Sequence, residues 1–127
     1  MFCSSYVKHH AGVSTAVFDM GIENNPWQIL PKILKLTQPK VVAMTCTTPM
    51  FREIRLIGMF AKTVLGKNII VVHGGVHPSA LPDESLNETM CDIVVQPKVH
   101  KGEYGPVEDA HLIINHIIAY WFHNKLK

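Results

Sequence analysis

The amino-acid sequence predicts a three-layer α/β fold in which helices cover both faces of a parallel β-sheet. Short apolar runs of strand length alternate with longer segments whose apolar residues recur at helical spacing, and this alternation is typical of parallel strands joined by crossover helices. Residues 69–72 are apolar throughout, as expected for a strand buried on both faces. The length of 127 residues suits a single domain.

The first twenty residues allow two interpretations. Either residues 2–11 form a helix, or residues 2–7 form a strand that a turn at residues 8–12 connects to the next strand. Residues 13–18 are short and rich in β-branched side chains, so they predict a strand, closed by a turn at residues 19–21. Too few residues precede this strand for another strand and its crossover helix. We therefore expect the first strand of the fold to be missing or replaced.

The central part of the sequence predicts two helices and a strand. Asn25 and Pro26 are typical of a helix start, and apolar residues at helical spacing follow from Trp27 to residue 36. Pro31 either kinks this helix or marks its true start one turn later. Residues 41–44 predict a strand. Residues 50–65 carry an apolar stripe and predict a second helix, ended by Gly66.

The remaining elements complete a Rossmann-like (flavodoxin-like) sheet within one domain, residues 1–127. A loop punctuated by prolines follows the strand at 69–72, and then come a short helix at about 83–89 and a strand at 92–95. An apolar helix at about 106–124 ends the sequence. Its apolar residues lie nearly all round, so it either packs on the sheet or forms a dimer or partner interface.

Composition argues against several classes of function. The net charge is +2 and the lysines are scattered, so no nucleic-acid-binding surface is expected. The longest apolar stretches are much shorter than the roughly 20 residues of a membrane span. The three cysteines form no C-x-x-C pair or disulfide framework, and no secretory signal precedes the first element. These features predict a cytoplasmic protein.

In an open parallel sheet, ligands bind beyond the carboxyl ends of the strands, near the point where strand order reverses. Residues 19–21, 45–49 and 73–81 are expected at this edge. Gly74 and Gly75 let the backbone approach a ligand closely, or simply form a tight turn. Hydroxyl groups at residues 45, 47 and 48 precede a helix, where they either contact an anionic group or cap the helix. The eight histidines show no convincing ligand spacing, so no protein-bound metal is predicted.

Three blocks of sequence carry a family resemblance, residues 41–48, 70–84 and 91–95. The second contains an apolar strand, Gly-Gly-x-His-Pro and Leu-Pro-x-Glu, and the third contains Asp-x-Val-Val. Together they resemble the cobalamin-binding domain found N-terminal to the catalytic barrel in cobalamin-dependent radical S-adenosylmethionine enzymes. The likeness covers roughly residues 5–105 and is most specific in its middle.

The resemblance implies a corrin site at the C-terminal edge of the sheet. It would place the cofactor, cobalamin, against Thr45, Cys46, Thr47, Thr48, Gly74, Gly75, His77 and Pro78. The Asp-x-His-x-x-Gly signature that supplies an axial histidine in other cobalamin carriers is absent, and so is the Cys-x-x-x-Cys-x-x-Cys iron–sulfur motif. The expected function is therefore a cobalamin-binding-like module without catalytic residues of its own, which serves a partner radical enzyme or methyltransferase.

A second hypothesis comes from a different class of function. The chain would be a flavodoxin-like interaction or regulatory domain that binds no corrin. In that case the apolar helix at about 106–124 would mediate self-association.

Overall fold

The structure is a computed structural model, and it describes residues 2–96. Residues 23–96 form one compact unit, and residues 2–22 belong to another. The predicted helix at about 106–124 lies outside the described residues, so its packing and its role in self-association stay predictions. The prediction of a single domain over residues 1–127 also stays open.

The N-terminal segment begins with helix α1 (Phe2–Ala11), which confirms the helical interpretation and excludes the strand at 2–7. The strand predicted at residues 13–18 is wrong, since residues 12–19 have no regular secondary structure. β-Branched residues favour a strand only when they lie on a paired, half-buried surface. This segment pairs with no described strand, and Val17 is 61% exposed.

Helix α2 (Pro26–Thr37) begins at the predicted position, with the Asn25 carbonyl accepting hydrogen bonds from the amides of Gln28 and Ile29. Pro31 lies inside the helix, so the later helix start is wrong. Leu30 and Leu34 are buried on one face of α2.

The sheet contains three parallel strands, β1 (Val41–Thr45), β2 (Ile70–Gly74) and β3 (Ile93–Val94). Val41 is opposite Ile70 and Val72 is opposite Ile93. Helices flank this parallel sheet, which confirms the predicted Rossmann-like α/β class. Strand order is β1-β2-β3, the order of the chain. The expected reversal of strand order is therefore not found among residues 2–96.

The crossover from β1 to β2 contains a short 3-10 helix (Thr48–Met50) and helix α3 (Phe51–Leu65). As predicted, α3 ends at Gly66, whose amide donates to the carbonyl of Lys62 at 3.1 Å and whose φ is +89°. Trp27 of α2 lies against Phe60 of α3, with the ring centroids 6.0 Å apart. Helices α2 and α3 therefore pack together.

The crossover from β2 to β3 differs from the predicted loop, because residues 76–80 form a short helix, α4 (Val76–Ala80). Pro78 is the third residue of α4, within the first turn, where an amide proton has no partner inside a helix. The proline that suggested a loop is therefore compatible with a helix. Helix α5 (Pro82–Glu88) follows, close to the predicted range.

Helix α3 contacts the end of α5 and the residues before β3 through positions three or four apart. A side chain at Gly58 would collide with the carbonyl oxygen of Thr89. One turn on, Lys62 donates hydrogen bonds to the Asp92 carboxylate and to the Ile69 carbonyl, both at 2.6 Å. Asp92 also accepts from the Val71 amide at 2.7 Å. These contacts hold β2 and β3 in register near their amino ends.

The core of residues 23–96 is centred on β2, whose middle three residues are buried. Apolar side chains from α2, α3 and the strands pack around it. The buried aliphatic residues of this unit are Leu30, Leu34, Ile54, Ala61, Ile69, Val71, Val72 and Val95.

Candidate functional site

Two of the three predicted edge segments lie side by side at the carboxyl ends of β1 and β2. We call residues 45–48 the threonine segment and residues 74–78 the glycine segment. The amide of Cys46 donates to the carbonyl of Gly74 at 2.9 Å, and the amide of His77 donates to the carbonyl of Cys46 at 3.1 Å. Segments almost thirty residues apart in the sequence therefore form one continuous backbone surface.

The third predicted segment, residues 19–21, belongs to the other compact unit. Asp19 follows no strand, and its carboxylate accepts a hydrogen bond from the amide of Gly21 at 2.9 Å. This two-residue spacing is typical of an Asx turn. The Asp19 carboxylate therefore caps this turn.

Gly75 makes the contact between the two segments possible. Its φ is +104°, a conformation that L side chains rarely adopt. A Cβ atom at this position would lie 2.7 Å from the oxygen and 2.8 Å from the nitrogen of Cys46, and 2.9 Å from Oγ1 of Thr45. The close backbone approach that this glycine allows is thus to the chain itself.

Gly74 is under much weaker constraint than its neighbour. It is not among the glycines with positive φ, and a Cβ there would meet only the Cβ of Val95, at an ordinary 3.8 Å. The backbone conformation and the close contact with Cys46 therefore require glycine at position 75, whereas a methyl group would fit at position 74.

Burial separates the eight predicted site residues into two groups. The side chains of Cys46, His77 and Pro78 are buried, with exposed fractions of 3% or less. In this arrangement they support the edge and present no surface to a ligand. The other five are exposed or half-buried and can contact a ligand from outside: Thr45, Thr47, Thr48, Gly74 and Gly75.

The threonine hydroxyls are not used as helix caps. Thr47 precedes the 3-10 helix in an extended conformation and makes no capping hydrogen bond with its side chain. Helix α3 likewise begins after Met50 without a side-chain cap. The prediction that the Thr47 side chain caps the helix is therefore wrong, because its exposed hydroxyl makes no hydrogen bond at the helix start.

His77 fixes α4 to its neighbours. Its Nδ1 lies 3.2 Å from Oγ1 of Thr48, and its ring stacks on Phe51 with a centroid separation of 4.3 Å. Nε2 lies 3.8 Å from the Glu84 carboxylate. Phe51 was not singled out in the sequence, and Glu84 was noted only as the glutamate of the Leu-Pro-x-Glu motif, which marks no histidine contact.

His73, at the end of β2, is also buried but was not predicted as a site residue. Its Nδ1 lies 3.2 Å from Oγ1 of Thr89, the residue that follows α5. Burial, and to a smaller extent the nearby His77, lower the pKa of His73 to about 4. Sequence reasoning missed this histidine because it ends an apolar strand with no partner residue at a recognisable spacing.

The exposed residues next to the two segments in the chain are apolar, and the charged groups that act on the segments are carboxylates, Glu84 at 3.8 Å from His77 and Glu53 near Cys46. Met50, Val76 and Leu81 adjoin the segments in the chain and are 46%, 67% and 47% exposed. The edge therefore combines hydroxyl groups, glycine backbone and apolar side chains. Such a surface suits an uncharged ligand with apolar and amide groups better than an anion.

The described residues contain no group of three or more potential metal ligands, and no helix among them is long and apolar enough to cross a membrane. Comparison of the chain with protein-family models, with curated proteins and with solved structures finds no match. The geometry of this edge and the sequence resemblance are therefore the observations from which we infer a function.

Proposed function

We propose that this chain is a non-catalytic cobalamin-binding-like module that holds a corrin at the carboxyl ends of β1 and β2. The observation that carries the proposal is the contact between the threonine and glycine segments. These segments are the parts of the sequence that resemble a corrin site, and the Cys46 amide and carbonyl join them into one surface.

The residues at this edge suit the periphery of a corrin. A corrin has an apolar ring edged by methyl groups and amide side chains. Thr45, Thr47 and Thr48 offer exposed hydroxyls to amides, and Met50 and Val76 offer apolar contact. The half-buried backbone of Gly74 and Gly75 lies beside these side chains at the same edge.

The chain's own contribution is binding and orientation. His77 is 3% exposed and its Nδ1 is engaged with Thr48, so its imidazole is not available to the cobalt in this arrangement. The module would hold the corrin by its periphery. When bound, the cofactor would supply the methyl-transfer or radical-linked chemistry, in the service of a partner radical S-adenosylmethionine enzyme or methyltransferase.

The direct test is to mix the purified protein with hydroxocobalamin and pass it through gel filtration. The protein fraction is expected to carry the absorption spectrum of the corrin. A protein fraction without corrin absorbance contradicts the proposal and favours the interaction-domain hypothesis.

A matched pair of variants locates the site. Thr47→Trp places a bulky side chain on the exposed threonine segment, and we expect at least a tenfold loss of cobalamin affinity, about 1.4 kcal/mol. Thr63→Trp makes the same change at another exposed threonine, near the other end of α3, and should bind like the unmodified protein. Equal affinity for both variants would place the corrin elsewhere.

A further inference from the structure

His73 is the largest of the fully buried side chains among residues 2–96. Its side chain is 0% exposed, and it lies on the central strand β2 beside α5. Its Nε2 is buried and has no hydrogen-bond partner among residues 2–96. Buried polar atoms are nearly always paired, so this histidine requires a physical explanation.

The hydrogen bonds around Thr89 determine which ring nitrogen carries the proton. The Thr89 hydroxyl lies 2.5 Å from the Ser85 carbonyl and donates its single proton to that oxygen. It can therefore only accept from His73, so Nδ1 carries the ring proton and donates to Thr89. Nε2 is left as an acceptor that is buried and unpaired among residues 2–96.

A second proton on this ring would have no acceptor among residues 2–96. The polar groups beside His73 are the Thr89 hydroxyl, which already donates to the Ser85 carbonyl, and His77 of α4, whose interaction opposes a positive charge. The Ser85 hydroxyl of α5 is buried and reaches no hydrogen-bond partner in the described part of the chain. The strands beside it contribute Met44 and Val94, its partners in the sheet register. None of these side chains stabilises an imidazolium.

The charged groups nearby are engaged with other partners. Asp92 pairs with Lys62 at 2.6 Å, and these two side chains act on the thiol of Cys91. Glu84 of α5 lies beside His77 rather than His73. Arg55 of α3 pairs with Glu88 at 4.0 Å, where both side chains are about half exposed. Acidification therefore brings an uncompensated charge into the contact between α5 and β2.

We propose that His73 is a pH-sensitive latch: a proton taken from solvent onto Nε2 releases α5 from β2 and loosens the glycine segment. The link from α5 to that segment runs through α4. The Leu81 carbonyl accepts from the Ser85 amide at 3.1 Å, and the His77 carbonyl accepts from the Leu81 amide at 2.8 Å. This device needs no bound ligand, so a negative cobalamin experiment leaves it standing.

The direction of the pH effect follows from the lowered pKa of about 4 for His73. The unfolded chain takes up a proton near the ordinary histidine pKa of about 6.5, and the folded chain does not. Stability is therefore complete above about pH 6.5 and is lost progressively as the pH falls toward 4. Between about pH 6.5 and pH 5 this single group should raise the unfolding equilibrium constant about fifteenfold.

The test compares the full chain with His73→Asn by urea unfolding over that pH range. Asparagine can still donate to Thr89 from the position of Nδ1, but it cannot take up a proton. The variant should lose the contribution of about fifteenfold, while His9→Asn, a change at an exposed histidine of α1, should retain it. Equal pH dependence in His73→Asn and the unmodified protein would overturn the proposal.

A measurement on the unmodified protein covers the case in which His73→Asn does not fold. Nitrogen-15 NMR at about pH 5 should show the His73 ring neutral, with its proton on Nδ1. Hydrogen-exchange protection factors should fall in α5 before α3 as the pH falls. A doubly protonated ring in a chain whose α5 amides stay protected would show that no latch exists.

Discussion

The threonine segment and the glycine segment form one edge of the sheet, but they differ in what they expose. The threonine segment presents three side chains to solvent and buries only Cys46. The glycine segment buries His77 and Pro78 and uses the positive φ of Gly75 to pack on its neighbour. The glycine segment, which carries the more distinctive sequence motif, thus supports the edge, and the threonine segment forms its exposed surface. The glycine, histidine and proline of this motif are therefore explained by packing within the chain, without reference to a ligand.

Substitution of the two glycines should separate these roles most strongly. Gly75→Ala combines a strained φ of +104° with a Cβ less than 3 Å from the Cys46 backbone, so we expect a loss of about 4 kcal/mol in the free energy of unfolding. Gly74→Ala meets only a 3.8 Å contact and should change stability by less than about 1 kcal/mol. Urea denaturation measures both. Similar losses at the two positions would mean that the close contact at Gly75 is not formed in solution.

Removal of the buried imidazole should have the next largest effect. His77→Ala deletes the ring that stacks on Phe51 and the hydrogen bond to Thr48, and we expect a loss of about 2 to 3 kcal/mol. His77→Asn keeps a donor near the position of Nδ1 and should recover part of this loss. If both variants are as stable as the unmodified protein, His77 does not support the edge, and its exposure to a ligand has to be reconsidered.

Much of the fold could be predicted from the sequence because its strongest signals are local. The apolar run at 69–72 and the stripe at 50–65 indicate β2 and α3 without any knowledge of their neighbours. The strand expected at 13–18 fails for the opposite reason, since a strand depends on a partner that residue types do not specify. Helix α4 was missed because Pro78 suggests a loop unless its place in the first turn is known.

The candidate site was predictable only in part. Parallel strands end at one edge, so the meeting of residues 45–48 with residues 74–78 follows from the strand assignments. Burial does not follow from them, and a histidine or cysteine within a motif looks equally suitable whether it faces solvent or core. The bonds from His77 to Thr48 and from His73 to Thr89 join residues 29 and 16 positions apart, and no spacing rule predicts such pairs.

The smallest expected effects sharpen the comparison within the threonine segment itself. Thr48→Val removes the hydroxyl that bonds His77 at 3.2 Å, and the loss of one hydrogen bond to a buried ring should cost about 1 kcal/mol. Thr47→Val changes an exposed hydroxyl without a capping bond and should alter stability by less than about 0.5 kcal/mol. Thermal unfolding resolves this difference. Thr47→Val leaves the hydrogen bond between Thr48 and His77 intact, so any fall in its cobalamin affinity would come from the changed surface alone. A stability loss equal to that of Thr48→Val would instead show that Thr47 also supports the edge.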